Sequence, residues 1–341
     1  MPELATYALF AYRHEAFVTE AIRAVARQTY RPLELIITDD ASPDGTRQKI
    51  DEALLDFPSD ISVIRINHTQ NHGGIPAVIS AAVRQASGRV IIFGAGDDVS
   101  EPERVAWTMQ VFADARVVFA HTAVSVINNL GKLVEGRQGQ GHGDAALSML
   151  GMILGTDVPI IGASCAYRAD VFREFAELSP RILREDVILP IRALMLGEGR
   201  FLSSKLVRYR THDGNLHSPA QAQTSAELVQ HNLRFAGDRA ASCVQLAADI
   251  ANARAKGRIV PREMDDFLRR ETAYSMVEQR LLRTRSLLVR AGQVALAWSS
   301  RRIGTAKAVK LFTLFVTPFL YKQVLTLRIW LSERKRQMRH G

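Results

Sequence analysis

The sequence predicts an α/β fold: a mostly parallel sheet flanked by helices, followed by a C-terminal α-helical extension. Three observations carry this reading. Over the first 130 residues, short β-branched runs alternate with helix-periodic segments, the pattern of βαβ units. Two of the apolar runs end in paired acids, Leu35-Ile-Ile-Thr-Asp39-Asp40 and Arg89-Val-Ile-Ile-Phe-Gly-Ala-Gly-Asp97-Asp98. Beyond Pro219 the texture changes to Ala, Arg, Leu and Gln, with hardly any strand signal.

Thr6 to Ala11 reads as the first strand, and Phe17, Val18, Ala21, Ile22 and Val25 then recur at the i, i+3/i+4 spacing of an amphipathic helix. Glu34–Thr38 is the second strand, with a helix from Thr46 to Phe57. Ile61–Ile66 is the third, with a helix near Ile75–Ala86, and Arg89–Phe93 the fourth, with a helix from Pro102 to about Ala113. Val117–Ile127 is long and alternating, as in an edge or antiparallel strand. Gly136 to Gly143 holds four glycines and reads as a mobile loop. Ile160–Tyr167 and Leu202–Tyr209 are strand-like and flank a helix beginning near Asp186. Two helical stretches follow, about 225–256 and 261–291, parted by Gly257-Arg-Ile-Val-Pro261. The expected division is 1–219 for the α/β domain, 220–300 for the helical extension and 301–341 for a basic segment.

A chain of 341 residues, 47% apolar and 23% charged, is an ordinary globular protein, not a disordered one. Its net charge of +9 is unevenly placed. Residues 1–220 hold 22 Lys/Arg against 26 Asp/Glu, whereas 221–341 hold 22 against 9. Such asymmetry points to a polyanionic partner for the basic part, nucleic acid or anionic membrane. Cys165 and Cys243 lack metal-ligand spacing and fit a reducing compartment. Met1-Pro-Glu-Leu leads at once into the first strand with no signal peptide, so a cytoplasmic location is expected.

Ligands of open α/β sheets gather outside the carboxyl ends of the strands. Paired carboxylates at two such ends suggest one crevice for a cation-linked ligand, since Mg²⁺-type ions favour one or two carboxylates together with substrate phosphates. That points to a nucleotide diphosphate. The alternative is that these acids only begin the following helices. Tyr12, just past the first strand, could stack on a nucleobase or fill the core, and Asp40 could accept a base N–H. Glu185-Asp186 also suits a plain helix N-terminus. His212 follows a strand in Tyr209-Arg-Thr-His212, either as a metal ligand or as a surface residue. His217, Arg208 and Arg210 could approach a diphosphate.

The opening Ala8-Leu-Phe10-Ala-Tyr12-Arg-His-Glu15, then Ala21-Ile-Arg-Ala-Val-Ala-Arg-Gln28-Thr-Tyr and Glu34-Leu-Ile-Ile-Thr-Asp39-Asp40-Ala-Ser42, resemble the start of a family 2 glycosyltransferase with the GT-A (Rossmann-like) fold. The resemblance runs on through Asn71-His-Gly-Gly74, Ser87-Gly88, Ala95-Gly-Asp97-Asp98, Glu185-Asp186 and His212-Asp-Gly-Asn215, about residues 5 to 217. It implies that Phe10, Ala11, Tyr12 and Asp40 lie at the donor's base and that Asp97 faces its ribose. By the same resemblance Asp98, with His212, holds a divalent metal ion (Mn²⁺ or Mg²⁺), Asp186 is the general base and Glu185 orients the acceptor or the base. Ala95 stands where the family's D-x-D motif has its first Asp. The processive members' Q-x-x-R-W motif is missing, which favours one sugar per encounter.

The reading that follows is an inverting, non-processive, metal-dependent glycosyltransferase. Its donor is a nucleotide-diphosphate sugar, a UDP-sugar foremost, and its acceptor a glycan or lipid-linked glycan of cell-surface polysaccharide or glycoconjugate synthesis. Two rivals stand beside it. A catalytically silent nucleotide-sugar-binding scaffold would accommodate Ala95. A sugar-phosphate nucleotidyltransferase would need a glycine-rich loop after the first strand, where Phe10-Ala-Tyr-Arg-His-Glu15 has none. Lys310 to Lys322 encloses eleven uncharged residues, Leu311 to Tyr321, too few for the roughly twenty of a spanning helix. With the basic run after Glu333 they suit an anionic membrane surface, peripherally on the inner face of the plasma membrane. Nucleic acid is disfavoured, and homo-oligomer formation is left open.

Overall fold

The computed structural model describes residues 2–134, 143–212, 225–284, 286–300 and 302–315. Three βαβ steps build the first half: β1 (Ala5–Ala11), α1 (Val18–Ala26), β2 (Leu33–Asp39), α2 (Thr46–Leu54), β3 (Ile61–Asn67), α3 (Ile75–Gln85) and β4 (Val90–Ala95). The short β5 (Val99–Ser100) and α4 (Arg104–Val111) lead to β6 (Val117–Ile127). After it come β7 (Ala145–Leu147), α5 (Met149–Leu154), β8 (Cys165–Arg168), α6 (Asp170–Glu174), α7 (Glu185–Leu194) and β9 (Glu198–Arg210). Four helices close the described chain: α8 (Ser225–Ala255), α9 (Glu263–Arg283), α10 (Leu287–Ser299) and α11 (Thr305–Phe315).

The described strands form one nine-stranded sheet in the order β3-β2-β1-β4-β8-β6-β9-β5, with β7 also on β9. β1 to β4 are mutually parallel in the pairs they make, and β8 runs antiparallel between β4 and β6. β9 is parallel to β6. The carboxyl ends of β1, β2, β4, β6 and β9 therefore share one edge of the sheet. β1 and β2 are buried along their whole length, as a sheet covered on both faces requires.

β6 corrects the sequence reading. It is antiparallel to β8, as one of the two alternatives had it, but it is not an edge strand: it lies inside the sheet and is parallel to β9 on its other side. Its alternation came from His121, Thr122 and Ser125, of which His121 and Thr122 are buried. The strand expected at Ile160–Tyr167 is confined to Cys165–Arg168, after a single 3₁₀ turn at Gly162–Ser164. The second C-terminal helix is broken too: Ser286 caps α10 by accepting from the Val289 N–H. The glycine-rich stretch expected as a mobile loop lies, save for Gly143, outside the described residues.

Ser87-Gly88 has a packing cause. Buried Glu34 takes hydrogen bonds from Thr6 Oγ1 and from the backbone N–H groups of Ser87 (2.7 Å) and Gly88 (3.1 Å). A Cβ on Gly88 would lie 2.6 Å from the Thr6 nitrogen, so only glycine lets these segments approach.

The chain divides into two compact units. The first comprises residues 1–221 together with 244–265, and the second 222–243 with 266–341. Within the first, Arg192 of α7 forms a buried two-point ion pair with Asp249 of α8 (2.7 and 3.1 Å), which ties the second half of α8 to the α/β core. The sequence boundary at 219 did not anticipate this return. The second unit has its own apolar cluster, including Ala236, Tyr274, Leu281, Val294 and Leu311. Among the described residues no helix is long and apolar enough to cross a membrane.

Candidate active site

Among the described residues two non-glycines sit in the left-handed region, Arg13 (φ 57°) and Ala41 (φ 55°), in the turns that follow β1 and β2. Such backbone costs about 1–2 kcal/mol per residue and recurs at functional turns. Both turns carry expected site residues. Phe10 is packed inward, its ring edge-on to Phe93 (centroids 5.1 Å apart), and Ala11 is buried; the Ala11 carbonyl accepts the Asp40 N–H (3.1 Å). Tyr12 is half-buried at the strand end.

The acids after β2 have separate partners. Asp39, fully buried, takes Nε (3.2 Å) and Nη2 (3.0 Å) of Arg47. Asp40 accepts from Asn71 Nδ2 (2.9 Å) and the His72 N–H, and pairs with His72 Nδ1 (2.6 Å). The Asn71-His-Gly-Gly74 run is thereby explained: it closes over Asp40. His68 lies beside it, with its ring edge-on to His72 and its pKa lowered, by burial first and then by His72.

At the end of β4 the backbone passes under His14. A Cβ on Gly96 would meet His14 Nδ1 at 2.8 Å and Ala11 Cβ at 3.2 Å. Asp97 and Asp98 are both buried. His212 Nε2 lies 3.0 Å and His14 Nε2 3.7 Å from the same Asp97 oxygen. Burial opposes the charge on Asp97, but His14 and His212 outweigh it and hold the carboxyl below its ordinary range. Asp98 behaves oppositely: burial, then the charge of Asp97, pushes its carboxyl well above the usual value. Its Oδ1 accepts the Arg210 N–H (2.7 Å), while its Oδ2 is buried without a partner.

Arg208 and Arg210 correct the expectation that they approach a diphosphate. Arg208 pairs with Glu101 (2.6 and 3.0 Å). Arg210 is buried, donates to the carbonyls of Asp97 (2.8 Å) and Asn128 (3.1 Å), pairs with Glu20 (2.5 Å), and stacks on Phe17. It braces the acidic turn from behind. His217 lies outside the described residues.

Glu185 and Asp186 open α7. Glu185 is buried under the 3₁₀ turn, where a Cβ on Gly162 would run into its Oε1, and Asp186 is half-buried. Tyr209, near the end of β9, joins the two ends of the site. Burial first, then the charges of Asp98, Asp97 and Asp186, push its phenol up to about 12. A divalent ion would give Asp98 Oδ2, a buried and unpartnered carboxylate oxygen, the partner it lacks, while His212 reaches the neighbouring carboxylate, Asp97 (3.0 Å). Sequence reasoning missed His14, Arg47, His68 and His72 as members of the site; for His72 the signal was the Asn71–Gly74 run itself.

Comparison with known proteins bears on the family. The family described as Glycosyl transferase family 2 matches residues 8–175. Over this segment the chain is similar to glycosyl transferase family 2. An uncharacterized glycosyltransferase of Nostoc sp. is 28% identical over 224 residues, 63% of this chain and 67% of that protein. The UDP-Glc:alpha-D-GlcNAc-diphosphoundecaprenol beta-1,3-glucosyltransferase of Escherichia coli is 30% identical over 127 residues, 36% of this chain; the match spans about half of that relative, 48%. The glycosyltransferase fold is that of solved GT-A structures. S. aureus TarS 1–349 in complex with UDP-GlcNAc superposes with a TM-score of 0.54 at 16% identity, covering 94% of this chain and 91% of that one. The mannosyltransferase PcManGT from Pyrobaculum calidifontis, in complex with GDP-Man and Mn²⁺, gives 0.54 at 16% identity over 95% of this chain and 82% of that one.

Proposed function

We propose that this glycosyltransferase is inverting and metal-dependent, and that it moves a sugar from a nucleotide-diphosphate donor, a UDP-sugar foremost, to a hydroxyl of a glycan or lipid-linked acceptor. One observation carries the reading: at the carboxyl edge of the sheet Asp97 and Asp98 are both buried, with His212 and His14 on Asp97 and Asp98 Oδ2 unpartnered. The UDP-GlcNAc bound to TarS and the undecaprenol-linked acceptor in the E. coli relative's name support the donor and acceptor classes.

In this reading Tyr12 stacks on the base, with Phe10 and Ala11 forming the strand end beneath it. Asp40, oriented by Asn71 and His72, accepts a base N–H. Asp97 receives the ribose hydroxyls, its own charge held by His14 and His212. Asp98 and His212 would hold the divalent ion, which when bound would supply Lewis-acid charge stabilisation for the leaving group. Asp186 takes the proton of the acceptor hydroxyl as its oxygen bonds the anomeric carbon. The bond from that carbon to the phosphate oxygen breaks on the opposite face, the nucleoside diphosphate leaves with the electron pair, and configuration inverts. Glu185 fixes the start of α7 and hence the aim of Asp186. Residues 301–341 attach the enzyme peripherally to an anionic, cytoplasm-facing membrane where lipid-linked acceptors reside.

The test is Asp186→Asn, a nearly isosteric change. Donor binding, read as ligand-induced thermal stabilisation, should persist while turnover falls by about 10²-fold or more. Product from the wild type should show the inverted anomer. A retained anomer, or an Asp186→Asn enzyme of near-normal turnover, would sink the mechanism.

A further inference from the structure

At the end of β2, on the far side of β1 from Asp97, a second set of ligating side chains converges. One atom each from Asp40, His68 and His72 lies within 4.8 Å of the other two. Asp40 Oδ1 and His72 Nδ1 are 2.6 Å apart, and the rings of His68 and His72 meet edge to face with centroids 4.6 Å apart. His68 Nε2 is buried without a hydrogen-bond partner. The backbone that carries His68 is fixed on both sides: its N–H donates to the Asp39 carbonyl (2.9 Å) and its own carbonyl accepts from Arg47 Nη2 (2.9 Å). The His72 N–H is held on Asp40. The constellation is therefore preorganised.

Holding Asp40 toward a nucleobase needs His72 and Asn71 and leaves His68 without a task. Two neutral imidazoles and one carboxylate with an open position are the donor set of Zn²⁺-class sites; Mg²⁺ prefers oxygen alone. An ion between the three residues would give His68 Nε2 the partner it lacks. It would also replace the Asp40–His72 hydrogen bond, with His72 adopting its other tautomer. We propose that Asp40, His68 and His72 form a second metal site, distinct from the Asp97–Asp98 pair and selective for a borderline divalent ion of the Zn²⁺ class. An ion there engages the carboxylate that would otherwise face the base, so Zn²⁺ and nucleotide exclude each other. That last clause rests on the assignment of Asp40 to the base; the metal site itself does not.

The experiment uses the full chain, stripped with chelator and then saturated with Mg²⁺ so that the Asp97–Asp98 site is filled. Zn²⁺ is titrated against a chromophoric chelator, alone and with UDP present. One Zn²⁺ per chain is expected, weakened about tenfold or more in His68→Asn, whose Tm without Zn²⁺ should match the wild type. UDP should raise the apparent Zn²⁺ dissociation constant. His72→Asn provides a second variant and should lose Zn²⁺ to a similar degree. Zn²⁺ affinity unchanged in both variants overturns the site. Zn²⁺ binding lost in the variants but indifferent to UDP leaves the site standing and overturns the mutual exclusion, and with it the placing of the base at Asp40.

Discussion

Asp97 and Asp98 are adjacent, both buried and chemically identical, yet their surroundings push them apart. Two imidazoles keep Asp97 charged, whereas burial beside Asp97 makes charge on Asp98 costly. A carboxyl whose folded pKa exceeds its unfolded value loses stability as pH rises from about 3.8 through the folded pKa. At neutral pH the metal-free fold is therefore working against Asp98. Asp98→Asn should leave the metal-free Tm at pH 7 equal to or above that of the wild type, since the amide can still accept the Arg210 N–H. The same variant should lose its Mn²⁺-dependent thermal shift and about 10²-fold or more of its transfer rate. A variant that melts earlier, or that keeps its Mn²⁺ response, contradicts the role given to Asp98. The acids themselves were legible from sequence because each closes an apolar run. Their division of labour was not. Asp39 is diverted by Arg47 on the following helix, eight residues on, and His14 reaches Asp97 from the turn after another strand, a contact that the pairing of β1 with β4 creates.

At the scale of elements, local periodicity identified the four parallel strands and their helices because one short apolar run maps to one strand. It failed at β6, where polar residues are interior. His121 is only 1% exposed, stacked near Phe119 (centroids 5.8 Å) and against Phe201 (5.0 Å). A histidine in an aromatic stack mimics the polar face of a half-exposed strand, so its pattern suggests an edge. Its burial has a measurable consequence. The unfolded imidazole takes up its proton near pH 6.5, while burial lowers the folded one to about 4. Between those values protons bind the unfolded chain alone, so stability falls as pH falls, by about 3 kcal/mol at most across the window. His14 and His68, also lowered, add to the same slope. His121→Leu should flatten the decline of unfolding free energy between pH 6.5 and 4 in denaturant titrations, with little change at pH 7.5. An unaltered acid slope in that variant would show that His121 is protonated in the folded state.

At the scale of the whole molecule, charge and fold divide the chain differently. The α/β core takes back the second half of α8 through Arg192 and Asp249, a long-range pair that composition does not reveal. The basic excess, by contrast, is plain in the sequence: from Arg283 onward there are 13 cations and one acid, Glu333. Trp298 is half-exposed on α10, and Trp330 follows in the segment beyond the described residues. Cations spaced among aromatic and aliphatic residues bind an anionic surface by two additive terms, Coulombic attraction and burial of apolar side chains among the headgroups. Only the first is screened, as the Debye length shrinks from about 10 Å at 0.1 M salt to about 3 Å at 1 M. The full chain should therefore sediment with phosphatidylglycerol vesicles at about 0.1 M salt and much less with phosphatidylcholine vesicles, and it should return to the supernatant as salt approaches about 1 M. Truncation after Val309 should abolish the binding and leave donor-induced stabilisation intact, because the residues assigned to the donor and its metal ion run from Phe10 to His212 and none lies beyond. Binding that survives both high salt and carbonate would instead mean that the segment from Leu311 crosses the bilayer. A chain that stays in the supernatant with anionic vesicles at low salt has no membrane attachment, and its cationic end must serve another polyanion.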